Sequence, residues 1–184
     1  MDPSRTRRRR LVAGDDLAVV AGQLGRRPHA MSRVVRRCPF GFPAAVETLP
    51  YDGSGRPFPT LFYATCPTLV AAVGAVESAG GVRRFSERVE ADAGLEHSVL
   101  AAARSTRRRR RALVALHGLR MRDAGTSLAT GIGGVTDPRA LKCLHAHAAH
   151  ALARPGYLLG DAVLADAGEL WCTDRRCAAW AGGA

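Results

Sequence analysis

Lysine is almost absent from this chain. Of its 27 cationic residues only Lys142 is not an arginine. An excess of alanine, glycine and arginine with so little lysine is what GC-rich coding supplies, so the net charge of +11 is weak ground for a nucleic-acid partner. Aromatic residues are scarce too, at 5%. No basic-aromatic surface pattern offers the flat faces on which bases stack. Long apolar runs are missing: crossing a bilayer takes about 20 apolar residues, and the best runs here, Ala71 to Val76 and Leu113 to Leu116, are far shorter. There is no C-x-x-C knuckle, no Gly-Lys-Ser/Thr phosphate loop, no G-x-S-x-G, no H-E-x-x-H and no pair of carboxylates at catalytic spacing. What is there is a globular composition, 47% apolar against 23% charged over 184 residues, which excludes wholesale disorder and a rod.

One domain fits this length. The expected organisation is a basic tail over residues 1–14, a single domain over 15–171 and a C-terminal tail over 172–184. The arginines Arg7 to Arg10 invite comparison with a twin-arginine export signal, but Asp15 and Asp16 interrupt the apolar segment such a signal requires. The expectation is therefore a cytoplasmic protein. In that reducing setting five scattered cysteines are not a disulfide framework.

Local patterns predict an α+β domain, a small three-stranded sheet packed with helices. Asp15 or Asp16 caps a helix through Leu17, Val20 and Leu24 that stops at Gly25. Strands are predicted at Met31 to Arg37, Ala44 to Leu49 and Thr60 to Thr65, with Asp52-Gly53-Ser54-Gly55 as turn chemistry before the third. Pro67 starts a helix with Leu69, Val70, Val73 and Val76 on its buried side. Arg83 to about Arg122 reads as one or two amphipathic helices, broken near Gly94. Asp123 to Thr136 is a long glycine-rich loop. Asp137 then caps a helix predicted over Pro138 to Ala153, and a shorter helix follows Gly160.

Chemistry gathers in few places. Cys38 and Cys66 each end a predicted strand and each precedes a proline, so both thiols are expected at one end of the sheet. In the predicted helix Cys143, His147 and His150 form one stripe, while His145 points nearly the opposite way. These residues suggest a metal site of Cys38, Cys66 and Cys143 with one imidazole, His147 or His150. Zinc is the favoured occupant, and an iron-sulfur cluster competes. Against this stands ordinary burial of thiols in apolar surroundings. Cys172 and Cys177 are either further ligands or incidental thiols, and Trp171 and Trp180 are expected to pack the tail onto the body. Gly131, Gly133 and Gly134 with Lys142 suggest an anion site, where His145 would serve as acid, base or phosphate ligand. The run Arg107 to Arg111 suggests nonspecific nucleic-acid binding as an alternative, with a solvated helix face as the plainer reading. His29, His97 and His117 stand alone.

Three segments together resemble a known family. They are Arg37-Cys38-Pro39, Pro57 to Pro67, and Lys142-Cys143-Leu144-His145 with Ala149-His150. In combination they are similar to domain of unknown function 501, an actinobacterial and firmicute family, over roughly Asp15 to Trp171. The resemblance implies no established reaction. It implies genomic neighbours in cell division and phosphate metabolism, which is association rather than contact. It makes the positions of Cys38, Cys143, His145 and His150 signature positions. That of His147 is often aliphatic and that of Cys66 can be histidine, which favours a ligand role at Cys66 and weakens one at His147.

Overall fold

The computed structural model describes residues 14–28 and 30–181. The basic tail expected at residues 1–14, apart from Gly14, lies outside the described residues, as do Arg7 to Arg10 and His29. Helix α1 spans Gly14–Leu24, and strands β1 Met31–Arg37, β2 Pro43–Thr48 and β3 Phe62–Ala64 follow. They form one antiparallel sheet in the order β1-β2-β3. Helices α2 Pro67–Ser78, α3 Gly81–Ala91, α4 Ala93–His117, α5 Leu144–Ala153 and α6 Leu158–Ala167 complete the α+β fold. The three strands and the α+β class agree with the sequence reading.

The helices form where their sequences place caps and apolar stripes. Helix α2 has proline at its start and buries Leu69, Val73 and Val76 at helical spacing. Between α3 and α4 the chain breaks at Asp92, near Gly94 as the sequence suggests, because the Asp92 carboxylate accepts from Gly94 N at 2.8 Å and Leu95 N at 3.1 Å. Helix α4 stops at Gly118, in the left-handed region with φ 58°. Leu69, Phe85, Val99, Leu113, Leu144 and Leu159 join these helices in one core over the sheet.

Two buried charges hold the sheet to α4. All six residues of β2 are buried, among them Glu47, whose carboxylate receives Arg109 through two hydrogen bonds of 2.7 Å and Arg33 at 2.8 Å. Burial alone would raise the Glu47 pKa, but the Arg109 and Arg33 guanidinium groups outweigh it and hold the pKa below the usual carboxylate range. Arg110 is fully buried and donates to Ser127 O and Thr130 Oγ1 at 2.8 Å and to Phe58 O at 3.1 Å. It ties α4 to the glycine-rich loop and to the segment before β3, so neither is a loose connection.

One helix starts later than the sequence predicts. Asp137 accepts from Arg139 N at 2.9 Å in a local turn and caps no helix there. Cys143 is extended, with φ −156° and ψ 119°, and α5 begins only at Leu144. The cap comes from elsewhere: Glu77, in the last turn of α2, accepts Leu144 N at 2.5 Å. A carboxylate is favoured at that helix end, where free N–H groups concentrate positive potential. After α6 the chain lies back on α1, where the Trp180 ring occupies the space that any side chain at Gly22 would need.

Candidate functional site

The late start of α5 creates the site. Because Cys143 is extended while His145 is in the first helical turn, the two side chains meet, with Cys143 Sγ 3.7 Å from His145 Nδ1. The same Nδ1 stands 3.2 Å from Glu77 Oε1. The opposite ring nitrogen, Nε2, lies 3.0 Å from the Val70 carbonyl, which only accepts, so Nε2 carries a proton and Nδ1 is turned to the thiol and the carboxylate. The hydrogen bond to Cys143, the Val70 carbonyl and the nearby Glu77 charge outweigh burial and push the His145 pKa up to about 9. Among the described residues, Glu77, Cys143 and His145 are the one group of three metal-ligating side chains whose ligand atoms all lie within 4.8 Å of one another.

Two members of this group, Cys143 and His145, line a cleft of about 700 Å³. Lys142, residues of β3 and of the start of α2, and Gln23 and Leu24 of α1 line it as well. Pro59, Tyr63, Val70 and Ala71 make the walls largely apolar. Thr65 lines the cleft, and its buried hydroxyl has no hydrogen-bond partner among the described residues.

The stripe of Cys143, His147 and His150 is corrected by the same geometry. With Cys143 outside the helix, 100° spacing does not apply to it, and His145 is the imidazole it meets. His147 and His150 are buried in the interior instead. His147 Nδ1 lies 2.6 Å from the Tyr157 hydroxyl, and His150 packs edge-on against Phe62 and Tyr157. Desolvation, aided for His147 by His150 and for His150 by Arg154, brings their pKa values down to about 3 and about 4.

The expected ligand set thus divides. Cys38 and Cys66 stand outside the group around His145 and gather with Cys172 and Cys177 near the β1–β2 turn. In the glycine-rich loop Gly131 N donates to Val135 O at 2.7 Å and Gly134 N to Gly131 O at 3.1 Å, so these two donors serve the turn. Gly133 and Lys142 border the cleft, and no helix begins at Pro138 to add positive potential. Of the run Arg107 to Arg111, Arg109 and Arg110 are turned into the fold, Arg107 is half-buried, and Arg108 and Arg111 are exposed.

Glu77 is the member of this candidate group that the sequence reading missed. Its signal was available, since it is the only charged residue in an otherwise apolar α2. A model of one protein family, described as protein of unknown function (DUF501), matches residues 34–165. No curated protein and no solved structure matches the chain.

Proposed function

The chain belongs to the DUF501 family, and from the geometry of its candidate group we propose that it is a metal-binding protein whose ion, zinc in the favoured case, is held by Glu77, Cys143 and His145 beside the cleft. The observation that carries this reading is the convergence of sulfur, nitrogen and carboxylate ligands with the imidazole already oriented by Val70. Ligating histidines are commonly fixed in this way, through a hydrogen bond from the far ring nitrogen to a carbonyl. Three protein ligands leave one coordination position free, the pattern of reactive rather than purely structural zinc. An ion there would polarise an oxygen atom of a ligand in the cleft. The apolar walls and the cation Lys142 suit a small ligand that is mostly apolar and carries one anionic group.

Zinc titration of the metal-free full chain against a chromophoric chelator tests this. His145→Ala and Glu77→Gln should each weaken the site by more than the roughly 10–100-fold typical of outer-shell changes. Affinity unchanged in both variants would end the proposal.

A second reading rests on the raised His145 pKa. A protonated His145 in contact with Cys143 at the wall of the cleft sets a sulfur beside an imidazole, the arrangement of a nucleophile and its acid–base partner. Alkylation by iodoacetamide distinguishes the two: Cys143 should react faster than Cys38 in metal-free protein, slow when His145 becomes alanine, and be protected by zinc only if the first reading holds.

A further inference from the structure

Four of the five cysteines lie near one another around Phe42, Pro43 and Ala44, where the β1–β2 turn passes into β2. Cys38 N donates to Phe42 O at 2.9 Å, closing the β1–β2 turn. Gln23 Nε2 donates to Pro43 O at 2.8 Å and to Cys177 Sγ at 3.3 Å. Thr65 N and Cys66 N both donate to Ala44 O, at 2.9 and 3.3 Å. Phe42, Pro43 and Ala44 therefore anchor Cys38, Cys177 and Cys66 in turn. The Arg175 guanidinium lies over the Phe40 ring at 5.8 Å, which brings the segment carrying Cys172 and Cys177 against the same turn. Burial above all, and beside it the nearness of Cys38 and Cys172, pushes the Cys66 and Cys177 thiols up.

We infer that Cys38, Cys66, Cys172 and Cys177 form a four-thiolate zinc site, separate from the group at His145, that clamps the C-terminal segment onto the sheet and α1. Burial by itself does not explain this gathering. Cys66 and Cys177 are each 3% exposed, but Cys38 and Cys172 are only partly buried, and the four come from three segments far apart in sequence. All are free thiols. Two of the sulfurs have donors that partly offset the upward push of burial: Cys177 receives Gln23 Nε2, and the Thr68 and Leu69 N–H groups at the start of α2 face Cys66. Each thiol that binds zinc releases its proton to solvent, and four sulfurs leave no open position, as in structural centres. The sulfurs stand wider apart than the ligand atoms at His145, so coordination would draw residues 172–177 towards the turn. That segment leads to Trp180 on α1, and α1 carries Gln23 and Leu24 of the cleft wall.

The test uses the full chain with Cys143→Ser, so that the outcome does not depend on the proposed function. Metal-free protein is titrated with zinc and with cobalt(II), then alkylated and read by mass spectrometry. One equivalent of zinc should bind and protect all four cysteines, and cobalt should give strong sulfur-to-metal charge-transfer absorption. Cys172→Ser, at a partly exposed position, should weaken binding by at least about tenfold while circular dichroism stays unchanged. Equal alkylation with and without zinc would overturn the inference. So would cobalt absorption without a thiolate band, and an iron-sulfur chromophore on the purified chain would overturn the choice of zinc.

Discussion

Helix α5 carries three histidines within six residues, and its two ends treat them in opposite ways. At the first turn His145 meets a thiol, a carboxylate and a carbonyl beside an open cleft, and its pKa rises to about 9. Two and five residues on, His147 and His150 face Tyr157, Phe62 and Thr106 in a closed interior, and theirs fall to about 3 and about 4. Residue type and helix are the same, and only the surroundings differ. The lesson is that a histidine is marked as functional by partners that stabilise charge, whereas burial among rings marks one that must stay neutral. His147 shows why: its Nε2 has no partner among the described residues, so a second proton on the ring would have no acceptor.

Acid should strain this division most. His147 and His150 bind protons more weakly in the folded chain than in the unfolded one, whose histidines titrate near 6.5. Below that pH the unfolded state takes up protons that the native state refuses, so stability is full above about 6.5 and falls as the pH drops towards 4 and 3. The carboxylate Glu47, with its depressed pKa, adds its loss only below its unfolded value of 4.5. Urea melts should therefore show a decline that begins near pH 6.5, and it should shrink in His147→Gln. A stability flat down to pH 4.5 would break the contrast.

Next in size is a pair of alanine variants. Emptying the interior ring in His147→Ala should cost about 3 kcal/mol in denaturant melts, as for other large core side chains, and leave zinc affinity within a few-fold. His145→Ala, at the cleft, should cost less than about 1 kcal/mol, as partly exposed sites usually do, while zinc affinity collapses. If the two variants exchanged these effects, His147 would be the ligand. A smaller step is Tyr157→Phe, which removes the only partner of His147 Nδ1 among the described residues. Leaving that buried nitrogen unpaired should cost about 1–3 kcal/mol, with no change in zinc affinity.

How much of this was legible in the sequence follows from the range of each signal. The three strands and the α+β class rested on local alternation and turn chemistry, and Pro67 marked α2 correctly. The start of α5 was not legible, because Pro138 and Asp137 are sound helix-start signals, whereas the cap that operates is Glu77, 67 residues away from Leu144. That one misplacement moved Cys143 onto the helix and paired it with the wrong histidines. The arginine run shows the same limit: local charge suggested a solvated or phosphate-binding face, but the buried partner of Arg109 lies on β2, 62 residues away. Cys38 and Cys66 were rightly read as sharing one end of the sheet, since both end strands before proline. Their companions Cys172 and Cys177 became visible only once the last segment was seen folded back on α1.

The smallest effect lies at the alkaline side and sharpens the contrast from the other end of the helix. In metal-free protein His145 binds its proton more tightly when folded, so the stability it contributes is complete below about 6.5 and is lost as the pH rises towards 9. The imidazole is 25% exposed, and solvent screening keeps the effect modest. Its sources can be separated. Cys143→Ala removes the sulfur contact, the largest influence on the ring, whereas Glu77→Gln removes only the carboxylate charge. The midpoint of the His145 proton resonances in an NMR titration should therefore fall more in Cys143→Ala than in Glu77→Gln, while the resonances of His147 and His150 stay where they are. Movement of all three together would mean that the helix acts as one electrostatic unit, and the opposition between its two ends would be lost.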